Sequence, residues 1–251
     1  MTNTANNSRR VAIIGFAGEY AGPATARLLA QRGHDLVLGE AAPSLVEELE
    51  ALGTKVVNVT GLGYLLEASA SQRLVDAAIS NFDRLDSATT SSGAIVIGRF
   101  LKSSIDDFHK AVRGCMEVPY HFLKAVVPTM IERGGGQVLI QTSASGGRAT
   151  PGAPLYSMAR AGANHLVKNV AAEVAEHKVQ VNAVGTNFMD FPGFLKASNA
   201  ETAEGRAKVE AQVPLRRLGT MEEFAAFCCV FIDGTSGFTT GQFVPYAGGW
   251  A

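Results

Sequence analysis

Short runs of β-branched residues alternate with longer segments of helical period, and this alternation constrains the fold most. The short runs lie at residues 11–15, 35–38, 55–58, 86–90, 137–142, 179–184 and 242–246. Helical periodicity occupies residues 21–32, 44–52, 70–82, 104–132, 153–177, 203–212 and 221–233. Strands that alternate with helices form a parallel sheet covered on both faces. The sequence therefore predicts an α/β protein with a Rossmann-like, doubly wound parallel sheet of about seven strands.

One domain accounts for the pattern. The chain has 251 residues, of which 47% are apolar, and single α/β domains commonly reach this size. No repeat, low-complexity tract or linker rich in Pro, Gly or Ser divides it. We predict a flexible N-terminal tail over residues 1–10, which are mostly polar, and a single domain over residues 11–251.

Charge and composition exclude several classes of function. The 22 basic and 23 acidic side chains give a formal net charge of -1, which offers no attraction to nucleic acid or an anionic membrane. No apolar stretch is long enough to span a bilayer. The five histidines are scattered and the three cysteines are an odd number, so we predict no metal site and reduced thiols. We expect a cytoplasmic protein that binds a small molecule.

The turn after the first predicted strand keeps only part of the glycine spacing of a dinucleotide site. Residues 15–22 read GFAGEYAG, where three spaced glycines would let the backbone approach two phosphates. The three slots hold Phe16, Tyr20 and Gly22 instead, and Glu19 adds a negative charge. Bulk and charge therefore oppose a nucleotide. The alternative is a variant turn that still binds one, with Glu40 after the second strand contacting its ribose.

A polar constellation follows the fifth predicted strand. Ser143 lies at the end of that strand, Tyr156 comes 13 residues later, and Arg160 follows four residues after the tyrosine. A spacing of four places Tyr156 and Arg160 on one face of a helix, and a fixed cation stabilises phenolate relative to phenol. Ser145 is an alternative for the working hydroxyl, with Ser143 as a structural cap.

The serine, the tyrosine and the cation resemble the catalytic set of the short-chain dehydrogenase/reductase family. The resemblance covers almost the whole chain and extends to the first turn, to PLRRLG at residues 214–219, to TGQ at residues 240–242 and to GG at residues 248–249. The reductases of this family carry Lys four residues after the Tyr and use it to hold the nicotinamide ribose. Here that residue is Arg160, and a rigid guanidinium fork does not replace an ammonium.

Two further positions differ from the reductases. Their Asn-Asn-Ala-Gly motif after the fourth strand reads TSSG here, at residues 90–93. The helix position where they often carry Asn aligns with Cys115. Features linked to the cofactor are therefore altered together.

The set Ser143, Tyr156 and Arg160, with aromatic Tyr20 two positions before Gly22, resembles the halohydrin dehalogenases (haloalcohol dehalogenases) of the same superfamily. Gly15 stands where those enzymes usually carry Thr. The resemblance implies a carbon–halogen lyase with a Ser-Tyr-Arg triad and no cofactor. Such an enzyme closes vicinal haloalcohols to epoxides, and it opens epoxides with halide, azide, cyanide or nitrite.

The same resemblance implies a halide pocket in the space that the cofactor has vacated. Residues 187–203, after the sixth strand, contain Pro192 and Gly193 and show no clean periodicity. We expect this loop and the first turn to supply the halide contacts, which are Tyr20, Asn187, Phe188 and Met189. We expect the substrate pocket to include Phe16, Pro154, Leu155 and Phe191. The alternative for the loop is a generic substrate lid with no anion role.

The resemblance also implies a homotetramer assembled through the long helices, in which a partner subunit completes each pocket.

Two other functions compete with that of a halohydrin dehalogenase. The competing enzyme is an NAD(P)-dependent short-chain reductase with a degenerate nucleotide motif, which Glu40 and the fold favour. The competing non-enzyme is a catalytically silent scaffold, which would have no reason to keep Ser143, Tyr156 and Arg160 in register.

Overall fold

A computed structural model describes residues 9–251 and confirms the predicted fold class. Seven strands form one parallel sheet in the order β3-β2-β1-β4-β5-β6-β7. The strand order reverses between β1 and β4, which is the feature of a doubly wound sheet where ligands bind. The strands are β1 (Arg10–Ile14), β2 (His34–Gly39), β3 (Val56–Val59), β4 (Ser87–Ser91), β5 (Gly136–Ser143), β6 (Val179–Thr186) and β7 (Phe243–Tyr246).

Helices cover both faces of the sheet. Among the described residues they are α1 (Gly22–Gln31), α2 (Pro43–Ala51), α3 (Ala68–Phe82), α4 (Ile105–Val112), α5 (Val118–Glu132), α6 (Pro154–Val174), α7 (Pro192–Ala197), α8 (Ala203–Glu210) and α9 (Met221–Cys229). One apolar cluster packs α3, α5 and α6 against one face of the sheet. A second packs α1 and α9 against the other face. No helix within residues 9–251 is long and apolar enough to cross a membrane.

Two elements differ from the sequence prediction. The single helix expected over residues 104–132 is divided by a π-helical segment, Arg113–Glu117, between α4 and α5. A Cβ at Gly114 would lie 2.4 Å from the Cβ of Ala94, so a glycine allows the loop after β4 to pack directly on this segment. The short helix α7 forms within residues 187–203, and its first turn contains Pro192, a residue suited to a helix start.

Most of the predicted N-terminal tail, residues 1–8, lies outside the described residues. The last two residues of the predicted tail are part of the folded domain. Arg10 begins β1 and pairs with His34. The Arg9 guanidinium lies 2.9 Å from the carboxylate of buried Asp35. The strand therefore begins one residue before the predicted boundary at residue 11.

Core packing around Phe122 gives a stability prediction. Phe122 on α5 is fully buried in the cluster below the sheet's central strands. Phe122→Ala removes most of a large apolar side chain and leaves a cavity, so we expect the free energy of unfolding to fall by about 3–5 kcal/mol. Phe238→Ala is the matched control, because Phe238 is fully exposed, and it should change stability by less than about 0.5 kcal/mol. Urea denaturation measures both, and equal effects would contradict the packing described here.

Candidate active site

A cavity of about 660 Å³ opens at the carboxyl edge of the sheet. This is the edge where ligands bind in doubly wound folds. The cavity brings together most of the residues singled out from the sequence, which are Phe16, Tyr20, Ser143, Ser145, Tyr156, Arg160, Asn187, Phe188, Met189 and Phe191. They come from the first turn, the ends of β5 and β6, and the first turns of α6.

Arg160 places a buried positive charge at one end of this cavity. Its side chain is on α6 and the residue is only 5% exposed. The guanidinium carbon lies 5.0 Å from the ring centroid of Tyr156, and Nη1 donates to Ser92 Oγ at 3.0 Å. Across residues 9–251, no carboxylate forms an ion pair with it, and its Nε has no hydrogen-bond partner. A buried cation without an anionic partner favours negative charge nearby.

Gly93, after β4, leaves room for that guanidinium. Its φ of 149° lies in a region that favours glycine, and a Cβ there would stand 1.9 Å from Arg160 Nη2. The positive φ and the nearby guanidinium therefore favour glycine where the loop after β4 crosses Arg160.

The two candidate serines lie side by side at the end of β5. Ser143 Oγ accepts the N–H of Ser145 at 3.2 Å and donates to the carbonyl of Thr186 at 3.3 Å. Ser143 thus caps the short 3-10 helix that follows β5, and both serines also line the cavity. The half-buried Tyr156 has no hydrogen-bond partner for its hydroxyl among the described residues, so this hydroxyl is available to a ligand.

Tyr20 spans the opposite side of the cavity. Its backbone is left-handed, with φ of 54°, and its hydroxyl lies 2.5 Å from Thr186 Oγ1 at the end of β6. The ring packs edge-on against Phe191, with centroids 5.0 Å apart. Burial raises the pKa of Tyr20 well above its ordinary value, and the hydrogen bond to Thr186 offsets only part of this effect. Tyr20 is therefore a neutral hydrogen-bonding phenol at physiological pH.

The first turn does not fit a dinucleotide cofactor. The ring of Phe16, in the first glycine slot, lies against Tyr64 with centroids 4.8 Å apart, and Tyr20 in the second slot crosses to Thr186. Gly22 fills the third slot, where a Cβ would stand 2.4 Å from the carbonyl oxygen of Phe16. The glycine needed for helix packing is thus kept, and the two that would admit phosphates are replaced.

Glu40 helps to hold the segment after β3. Its Oε1 accepts the N–H of Leu62 at 2.5 Å. The other carboxylate oxygen remains able to accept a hydrogen bond.

The loop after β6 lines the cavity and is fixed by contacts with Gly219 and Trp250. Phe188 has left-handed backbone, with φ of 57°, and its N–H donates to Asn187 Oδ1 at 2.9 Å. The N–H of Gly219 donates to the Phe188 carbonyl at 3.0 Å, and the ring of Trp250 lies 5.4 Å from the Phe188 ring. In the described part of the chain the Met189 N–H has no acceptor. An unpaired N–H beside aromatic rings suits a small anion.

Pro154 and Leu155 lie outside this cavity, unlike the other predicted pocket residues. Both line a separate small cleft near residues 96–107. Leu155 packs with Ala159 and Cys115 instead. Leu155 and Ala159 share one face of α6, whereas Tyr156 and Arg160 share the face turned about 100° away. The helix therefore directs Leu155 toward α4 and Tyr156 toward the cavity.

Three contributors were not predicted from the sequence. Thr186 bonds to Tyr20, Ser92 bonds to Arg160, and Tyr64 lies against Phe16. Ser92 and Thr186 end or follow strands next to predicted site residues, so their position at the carboxyl edge was a usable signal. Tyr64 follows β3, far from any motif. Within residues 9–251 no group of three or more His, Cys, Asp or Glu side chains could hold a metal ion.

A family model described as enoyl-(acyl carrier protein) reductase matches residues 21–251. A 3-oxoacyl-(acyl-carrier-protein) reductase of Thermotoga maritima is 27% identical, with 96% of this chain and 97% of that protein covered.

Two solved structures share the fold and more than a quarter of the aligned sequence. One is a 7α-hydroxysteroid dehydrogenase complexed with NADH and 7-oxo glycochenodeoxycholic acid, with a TM-score of 0.85 and 26% identity over 99% of this chain and 98% of that one. The other is called a dehalogenation enzyme, with a TM-score of 0.82 and 26% identity over 98% of this chain and 100% of that one. The chain thus resembles proteins of two different chemistries.

The contact between Gly93 and Arg160 can be tested by stability. We expect Gly93→Ala to lower the free energy of unfolding by about 1–3 kcal/mol, because the backbone is strained for alanine and the Cβ meets the guanidinium. In an Arg160→Ala background the same change should cost less, since the obstacle is gone. Gly237→Ala is the control, because nothing lies within 4 Å of its Cβ position. Equal costs in both backgrounds, measured by chemical denaturation, would show that Arg160 does not lie against Gly93.

Proposed function

The chain belongs to the enoyl-(acyl carrier protein) reductase family of the short-chain dehydrogenase/reductase superfamily, and on that premise we propose that it is a halohydrin dehalogenase. The proposed reaction is the cofactor-independent closure of vicinal haloalcohols to epoxides, and its reverse with small anions. The observation that carries the proposal is the position of the Tyr20 side chain. It extends from the first turn to Thr186 and fills space that a dinucleotide-binding turn would leave open. A site that excludes the cofactor and keeps a tyrosine beside a buried cation favours acid–base chemistry without hydride transfer.

The oxygen end of the proposed reaction uses Tyr156, Arg160 and Ser143. The Arg160 guanidinium carbon lies 5.0 Å from the centroid of the Tyr156 ring and places a positive charge beside the proposed base. In the proposed step Tyr156 accepts the proton of the substrate hydroxyl as the general base. The Ser143 hydroxyl, which donates to the Thr186 carbonyl in the structure, rotates to donate a hydrogen bond to the same substrate oxygen. General-base help of this kind contributes about 10²–10⁴-fold to a rate. In the reverse direction Tyr156 returns the proton to the epoxide oxygen.

The halide end lies across the cavity. The substrate oxygen forms a bond to the neighbouring carbon as the carbon–halogen bond breaks, and the halide departs with the electron pair. Tyr20 and the loop with Asn187, Phe188 and Met189 receive it. A neutral phenol, an unpaired N–H and aromatic edges stabilise a weakly hydrated monovalent anion better than they would a phosphate.

The second candidate is an NAD(P)-dependent reductase with a degenerate nucleotide motif. The similarity to a 3-oxoacyl reductase and to a dehydrogenase solved with NADH supports it. The residues Tyr20, Phe16 and Arg160 oppose it. The match to a structure called a dehalogenation enzyme, at a comparable identity, agrees with the main proposal.

Halide release tests the proposed reaction directly. We expect purified protein without added nucleotide to release bromide or chloride from a vicinal haloalcohol. Tyr156→Phe removes the base and Arg160→Lys removes the guanidinium, so each should lower the rate by at least about 10²-fold. Ser143→Ala compared with Ser145→Ala identifies the working hydroxyl, and the larger loss is expected for Ser143. Absence of release from several vicinal haloalcohols would contradict the proposal.

Nucleotide binding separates the two candidates. We expect no saturable NADH binding to the wild-type protein by calorimetry, because two aromatic side chains occupy the phosphate slots. The Phe16→Gly, Tyr20→Gly double variant, which restores both slots, is the comparison. Gain of NADH binding in this variant would identify the aromatic residues as the obstacle. Tight NADH binding to the wild-type protein, with reduction of a ketone, would replace the main proposal by the reductase.

A further inference from the structure

We propose that the part of the cavity beside Phe16, Tyr64 and Leu66, here called the aromatic subsite, binds an aryl substituent of the substrate. The enzyme would then prefer vicinal haloalcohols and epoxides with an aromatic ring over those with only three carbons. The inference rests on the proposed function, because it assumes that the reacting carbons lie at the catalytic end of the same cavity.

The cavity is far larger than the reacting group requires. Its volume of about 660 Å³ falls in the range of pockets that enclose drug-sized molecules. A three-carbon haloalcohol that touched Ser143 and Tyr156 would leave most of this space to water. A substrate that fills it must extend well beyond the carbon atoms that react.

The sheet fixes the direction and length of that extension. The strand order β1-β4-β5 places the first turn two strands away from Ser143. Adjacent strands are about 4.8 Å apart, so the backbone of the turn that carries Phe16 lies roughly 10 Å from Ser143. The Tyr20 side chain of this turn crosses the gap to Thr186, whereas the Phe16 ring lies against Tyr64. The oxygen and halogen of a vicinal haloalcohol are on adjacent carbons and cannot span this distance. A phenyl ring attached through a short ether can.

The subsite presents aromatic surface that the protein itself leaves uncovered. The Phe16 and Tyr64 rings lie 4.8 Å apart with a tilt of 36°, yet Tyr64 is 63% exposed. Tyr64 also has left-handed backbone, with φ of 56°, a conformation that costs energy for a tyrosine. Strained residues that persist commonly mark ligand sites. An uncovered pair of rings inside a cavity offers a third ring edge-to-face contact.

Charge near the subsite favours a neutral ring. Of the described residues that line the cavity, only Glu19 and Arg160 carry a charge. Arg160 is at the catalytic end, and the exposed Glu19 is on the first turn with Phe16. A carboxylate on the aryl group would be repelled by Glu19, whereas a neutral aryl ether would not.

The test compares two substrates that are identical at the reacting end. One is a chloropropanol that carries a phenoxy group, and the other is the same chloropropanol without it. We expect kcat/KM for halide release to be at least about tenfold higher for the phenoxy compound. Tyr64→Ala should lower this ratio at least about fivefold, and its exposed position allows the variant to fold. Phe238→Ala, a fully exposed aromatic residue before β7, should leave the ratio unchanged.

Binding of the unreactive phenoxypropanediol gives a readout that does not depend on catalysis. We expect Tyr64→Ala to weaken its Kd about tenfold in calorimetry, and Phe238→Ala to leave it unchanged. Halide release with a wild-type ratio near one would overturn the subsite while the proposed function stands. Diol binding that weakens in Tyr64→Ala, without halide release from either chloropropanol, would keep the subsite and overturn the proposed function.

Discussion

The buried guanidinium of Arg160 is the interaction on which the catalytic end of the cavity depends. Removing a cation from water costs several kcal/mol, and a carboxylate usually offsets this cost. Here the partners are the Ser92 hydroxyl and the face of the Tyr156 ring. Neither carries a negative charge, so the cavity stabilises an anion formed inside it. A tyrosinate, an alkoxide or a bound anion would each complete the pairing that the protein leaves open.

The first turn keeps glycine where the backbone is closely packed and has aromatic residues where it faces the cavity. A Cβ at Gly15 would contact Thr90 at 2.8 Å, one at Gly18 would contact the Glu40 carbonyl oxygen at 2.7 Å, and one at Gly22 would contact Phe16 backbone at 2.4 Å. Backbone atoms lie against the Cβ positions of Gly18 and Gly22, so packing alone favours glycine at these two positions whether or not a nucleotide binds. The positions that face the cavity are free to change, and there the chain has Phe16 and Tyr20.

The sequence predicted those parts of the site that depend on local spacing. Ser143 ends a strand, and Tyr156 and Arg160 are one helical turn apart, so their meeting at the carboxyl edge of the sheet follows from the fold. The contact between Tyr20 and Thr186 joins residues 166 positions apart and has no periodic signature. Gly114 of the π-helical segment packs closely against Ala94 of the loop after β4, a long-range contact that a helical pattern does not reveal. The sequence placed Leu155 in the substrate pocket, whereas the structure packs it with Cys115 and Ala159. The direction of this side chain depends on how α6 is rotated against α4, which the sequence pattern does not show.

The two tyrosines of the cavity lie in opposite electrostatic settings, and their proposed roles follow from this difference. Tyr156 stands beside the buried Arg160 cation. Tyr20 is surrounded by Phe191 and Phe224, and burial keeps it protonated with a raised pKa. The proposed displacement removes a proton at one end and releases a halide at the other, so it needs a base at the first end and a neutral hydrogen-bond donor at the second. Environments that separate two similar groups in this way assign their roles without any difference in residue type.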